Sequence, residues 1–194
     1  VHYAAAKSEV MGFTLALAGA NNNGISAVQI GSGSAPPPPP PPAKAIGVNY
    51  SGVGGNTLAP AEQAGYGFVQ GNWNNATGVG QGPPVAPITN LLDESGHATT
   101  ADIAVWTLAT NNSWTVGTGG SSDPNAKLNA DFNDQRPSIT FAQIPFGKYS
   151  VYVYYNNNEG PSTSTLTLTG SANDLLTRTI TTGNTGNTRW LEHG

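Results

Sequence analysis

The sequence predicts an all-β protein, an antiparallel β-sandwich of jelly-roll type, and three observations carry that expectation. Short segments of alternating apolar and polar residues recur at close, even spacing, with hardly any helical period among them. Only 9 % of the 194 residues are charged, and Gly, Asn, Ser and Thr abound, which favours strands and turns over helices. The third observation is a run of seven prolines, Pro36, Pro37, Pro38, Pro39, Pro40, Pro41 and Pro42, which no helix interior or central strand accepts. With φ locked, the run reads as a polyproline II rod of roughly 20 Å at ~3.1 Å per residue, a semi-rigid linker.

Taken in order, Val1 to Met11 has no clear period and reads as a loop. Phe13, Leu15 and Leu17 then alternate with Thr14, Ala16 and Ala18 as a half-buried strand. Asn21-Asn22-Asn23-Gly24 accepts positive φ and turns the chain into Ser26, Val28 and Ile30, so the two segments are expected to pair as a hairpin. A hairpin alone is marginal in water and has to lie against other strands. After the linker, Ile46, Val48 and Tyr50 share one face of a first body strand and Asn49 points to the other. Residues 51–82 read as a long ordered loop with one short strand. Ile88 to Leu92 and Ile103 to Leu108 flank the turn Asp93-Glu94-Ser95-Gly96, and a short strand surrounds Trp114. Strands follow at Ala126 to Phe132, Ser138 to Ile144, Tyr149 to Tyr155, Ser164 to Thr169 and Leu176 to Thr181. Tyr149 to Tyr155 has large residues on both faces and belongs in the middle of a sheet.

Composition narrows the partners. The net charge is -4 with seven Lys and Arg spread thinly, so there is no basic footprint for nucleic acid and no polybasic patch for a membrane surface. No apolar run of ~18 residues occurs. There is no cysteine, hence no disulfide framework and no thiolate metal site. The chain opens on Val1 without a signal peptide, which points to a processed or excised piece of something longer. Sequons at Asn49, Asn75 and Asn111, in a background rich in Thr and Ser, suggest a secreted surface protein; such triplets also arise by chance in a chain this rich in Asn and Thr, and at least one of the three is expected to carry a covalent glycan.

Four words of the chain stand out: Ile46-Gly47-Val48-Asn49-Tyr50, Gly71-Asn72-Trp73-Asn74-Asn75, Asp93-Glu94-Ser95-Gly96 with Val105-Trp106, and Pro145-Phe146-Gly147-Lys148 followed by Tyr149 to Tyr154. In them the chain resembles a β-sandwich module of large secreted, repetitive bacterial surface proteins. That module ends on a strand similar to Gly24-Ile25-Ser26-Ala27-Val28-Gln29-Ile30, which here stands near the start. The resemblance covers most of 46–194 and, in permuted order, 10–31. It implies a structural or adhesive role and no catalytic residues.

Candidate sites are few. The histidines are His2, His97 and His193; two lie near the termini, and His97 follows Asp93 and Glu94 beside a turn, where a solvated polar residue is the ordinary occupant. Asp131, Asn133 and Asp134 offer oxygens to Ca²⁺ but lack the other ligands of a defined loop, so a plain turn is the better reading. Trp106, Trp114, Tyr152 and Tyr154 either stack sugars, as in a carbohydrate-binding module, or fill the core. No catalytic residue, metal or cofactor is expected. The organisation expected is 1–33 as a strand segment completing a neighbouring copy's sandwich, 34–45 as linker, and 46–194 as the body. Phe13, Leu15, Leu17, Val28 and Ile30 are the donor-strand anchors, and copies join head to tail into an extracellular filament of helical assembly, by strand donation or tandem repetition. A permuted monomer that folds these residues into its own body is the alternative.

Overall fold

Strict alternation between large apolar and small polar residues gives each strand one face for a core, and most of these segments are strands. A computed structural model describes residues 2–5, 12–19, 23–32, 44–52, 55–66, 68–77, 82–84, 87–109, 113–115, 121–134, 136–147, 149–157, 162–170 and 175–182. In chain order these contain β1 (His2–Ala5), β2 (Phe13–Gly19), β3 (Asn23–Ser32), β4 (Ala45–Tyr50), β5 (Asn74–Ala76), β6 (Asp102–Thr107) and β7 (Ser113–Thr115). The short helix α1 (Pro124–Leu128) follows, then β8 (Asp131–Asn133), β9 (Ser138–Ala142), β10 (Tyr149–Asn157), β11 (Ser162–Gly170) and β12 (Leu175–Thr182).

Among the described residues, two sheets form. One is a curled mixed sheet in the order β1-β10-β3-β4-β5, with β8 beside β3 and β7 beside β8; the other is antiparallel, in the order β12-β11-β2-β9-β6. Their facing sides share a core to which β2, β9 and β11 give Phe13, Leu15, Leu17, Ile139, Phe141, Leu166 and Leu168. The mixed sheet answers with Ile25, Val28, Ile30, Ile46, Val48, Tyr50, Val151 and Val153. Phe13 stacks on Phe141 at 5.0 Å between ring centres and meets Tyr149 of the opposite sheet at 5.9 Å. The outer side of the mixed sheet is also covered: Leu58, Ala64, Phe68 and Trp73 from the long loop and Leu128 of α1 pack on Ala27, Ala45, Tyr152 and Tyr154. Both faces of β10 are therefore buried, as its sequence requires.

The structure corrects four expectations. Residues 1–11 are not all loop, since β1 pairs antiparallel with β10. The strands β2 and β3 do not form a hairpin. They lie in different sheets and face each other across the core, because both flanks of β2 are taken by β11 and β9. Ala126 to Phe132 is not one strand: Asp123 caps α1 by accepting from the Asn125 N–H, Pro124 starts the helix, and only Asp131–Asn133 is extended. Finally the sheets are not purely antiparallel, for β4 and β5 run parallel with Val48 opposite Asn74. The turn at Asp93 to Gly96 is as expected, with Gly96 N donating to Asp93 O at 2.9 Å and single bridges joining Ile88 to Ile103 and Leu92 to Ala98.

Candidate functional site

Two interior strands, β2 and β3, define the site, because each fills a central gap in one of the two sheets. The first is seated between β11 and β9, with Leu15 opposite both Leu168 and Ile139. The second lies between β10 and β4, with Ile30 opposite Val151 and Ile46. All five anchors named from the sequence, Phe13, Leu15, Leu17, Val28 and Ile30, are buried to 3 % exposure or less, and Ile25 joins them at 1 %. Each such side chain contributes ~1.5–3 kcal/mol on burial. A whole domain is stable by only ~5–15 kcal/mol, so the body cannot hold together with the seat empty. In this lone chain the seat is filled by the chain's own strands, the connectivity of the permuted monomer.

Residues 33–43 join these strands to the body. Pro36 to Pro42 lie outside the described residues, but both ends of the segment are described and adjoin. Ser32 N donates to Lys44 O at 2.8 Å, and Lys44 N donates to Ser32 Oγ at 3.1 Å. The body side is clamped further by Glu94, whose carboxylate accepts from Ala45 N at 2.7 Å while its N–H donates to Ala45 O at 3.0 Å.

Sequence reasoning missed what happens on the outer side of β3. Gln29, flanked by Val28 and Ile30, looks like a solvated residue of an alternating strand; it is fully buried under the second layer. Its amide donates to Gln70 Oε1 at 3.0 Å and Phe68 O at 3.3 Å, and its Oε1 accepts from the Tyr154 hydroxyl. That hydroxyl in turn accepts from Tyr66 N at 3.1 Å. Burial, above all, pushes the Tyr154 phenol far up, so it stays protonated and able to donate. Ser26 stands opposite no residue of β10, because Ala27 pairs with Tyr154 and Ile25 with Tyr155, and its hydroxyl donates to Tyr154 O at 3.2 Å. At Gly24 an added Cβ would lie 1.9 Å from Asn133 O. The one signal available for this layer was the cluster Trp73, Phe68 and Tyr66 within an otherwise polar loop.

The other candidates fall elsewhere. Asn49 is buried rather than solvated, because the loop covers its side of β4; its amide donates to Asn56 O at 2.9 Å and Asn75 Oδ1 at 3.0 Å. Asn75 is exposed as a residue, yet its amide bridges Leu58 on both sides, at 2.8 and 2.9 Å. Asn111 lies outside the described residues. Three of the four aromatics proposed as a sugar platform, Trp106, Tyr152 and Tyr154, are core residues, and only Trp114 is exposed, at 44 %. Asp131 is buried with its carboxylate accepting from Thr115 Oγ1 at 2.6 Å and from the side chain and N–H of Asn56 at 2.9 and 3.3 Å. Its role is to pin the loop to β8. His97 is exposed and stands 3.7 Å from Asp93, whose carboxylate accepts from the N–H groups of Ser95 and His97 and so shapes the turn. These two residues, with Lys44, Thr100 and Phe146, line a cleft of about 500 Å³. No protein-family model matches the chain, and no curated protein or solved structure matches it.

Proposed function

We propose that the chain is a structural, non-enzymatic subunit of an extracellular linear fibre, a jelly-roll-like β-sandwich whose first strands complete the sheets of a neighbouring copy. One observation carries the reading: β2 and β3 occupy central positions in both sheets, and within residues 1–194 the segment 33–43 ties them to the body. The contacts in the seat are the same whether its strands come from the same chain or the next, since only the path of residues 33–43 differs. The proline run favours the second path. A rod of roughly 20 Å returns to ends that adjoin at hydrogen-bond distance only if residues 33–35 and 43 run back nearly extended, whereas between copies it simply spans the gap. A head-to-tail contact of this kind propagates instead of closing, and it leaves no apolar edge open. The cell-surface setting rests on the sequence resemblance and composition.

Crosslinking tests this. Val28 stands opposite Val48 across β3 and β4, and the chain has no native cysteine. Chains carrying Val28→Cys and chains carrying Val48→Cys are refolded together and oxidised. A disulfide-linked band of twice the chain's mass on a denaturing gel is expected. Unlinked chains alone, while a doubly substituted chain closes the same disulfide within itself, would overturn the proposal.

A further inference from the structure

We propose that β3 carries a three-part code, Gly24, the unpaired Ser26 and Gln29, which restricts the seat to the same strand of another copy of this chain in a single register. The inference rests on the strand-exchange reading and says which strand is admitted. Apolar anchors cannot do this alone, since any strand with alternating Val, Ile or Leu satisfies them and a slip by two residues restores the same faces. The outer side of β3 removes that freedom at three places.

At the Gly24 position any side chain meets the backbone carbonyl of Asn133, an atom that cannot move aside as the tip of a side chain does. At Ser26 the incoming strand must supply one residue more than β10 does, and its hydroxyl satisfies Tyr154 O; a bulge of this kind pins register, because the extra residue has to meet the place where the ladder shifts. At Gln29 the socket presents an acceptor pair, Gln70 Oε1 and Phe68 O, together with a donor, the Tyr154 hydroxyl. A carboxamide is the side chain that answers both kinds of group at once. An apolar residue there leaves the Tyr154 hydroxyl without its acceptor and removes the donor to the two oxygens. A buried polar group deprived of its partner disfavours the complex by on the order of tenfold or more.

The same paired chains test it. Val28→Cys donors with native Gln29 compete for Val48→Cys acceptors against Val28→Cys donors that also carry Gln29→Met, a change of similar volume. A roughly tenfold preference for the native donor is expected, falling towards equality when the acceptor carries Tyr154→Phe, because donor and acceptor are then removed together. Circular dichroism of each donor establishes that it folds, and because Tyr154→Phe sits on the acceptor, a donor that folds poorly loses in both arms while a coded donor loses only in the first. Equal crosslinking of the two donors to the native acceptor overturns the code and leaves strand exchange standing, as does a preference that Tyr154→Phe does not relax. No crosslink with any donor overturns the exchange reading itself, and the code with it.

Discussion

A phenol in a protein interior is held neutral because the phenolate loses its hydration, and Tyr149 is a case in which this becomes measurable. Burial pushes its pKa up from 10.0 to about 12. Above pH ~10 the unfolded chain releases this proton while the folded chain keeps it, so the folded state binds more protons and stability falls as pH rises. The contribution is intact below pH ~10 and is lost progressively towards 12. Tyr154, raised further by burial, acts in the same direction. Urea titrations repeated between pH 8 and 12 should show the unfolding midpoint dropping above pH ~10, with a shallower drop for Tyr149→Phe; the same slope in both proteins would refute the assignment. Tyr154→Phe is expected to destabilise the chain at neutral pH by ~1–3 kcal/mol, since Gln29 Oε1 and Tyr66 N lose their buried partner.

At the level of elements, α1 shows how a cap outweighs a pattern. Ala126, Leu128, Ala130 and Phe132 alternate with polar residues as a strand would, but Asp123-Pro124 ahead of them supplies a side-chain acceptor and a preset φ for a helix. The helix then holds the outer layer in place: Lys127 Nζ meets Glu62 Oε1 at 2.6 Å, and Asn125 Oδ1 accepts from Gly65 N at 2.9 Å. Asp123→Ala should lower stability by ~1 kcal/mol through the lost cap. Lys127→Ala should change it by less than ~1 kcal/mol, because that pair is partly open to solvent; urea midpoints that reverse this order would contradict the assignment. The inward faces of β2, β9, β10 and β11 were legible because period-two alternation reports a single buried side. What was not legible is the second layer. Asn49 and Gln29 are polar residues on the supposedly wet side of their strands, and only the chain's return at 56–73 buries them. Nor does alternation say which sheet a strand joins, which is why β2 and β3 read as a hairpin while they face one another across the core.

For the whole molecule, the order of strands in space differs from the order in the chain in one informative way. β1 lies beside β10 at one edge of the mixed sheet, and β12 beside β11 at the matching edge of the other. Tyr155 of β10 donates to Ser164 of β11 at 3.3 Å, so these two edges lie on the same side of the molecule. Thr182 pairs with Ser162, and His2 pairs with Tyr152, which brings the end of β12 and the start of β1 towards the same end of the two sheets. Facing sheets stand ~10 Å apart. Residues 183–194 followed by residue 1, at up to ~3.3–3.6 Å each, are more than long enough to make that connection. A chain that starts at Lys44, runs to Gly194, continues directly from Val1 to Ser32 and omits 33–43 should therefore fold as a monomer with the same two sheets and the same buried anchors. Sedimentation should show a single species, and unfolding should be one cooperative transition. Chains of this order carrying Val28→Cys, mixed with others carrying Val48→Cys, should give no crosslink between copies, since each body is then completed by its own contiguous strands. If the reordered chain crosslinks as the native order does, the proline segment is not what directs exchange. If it fails to fold, β1 to β3 depend on their own link through residues 33–43, and the seat is not the transferable surface that a fibre of identical copies requires.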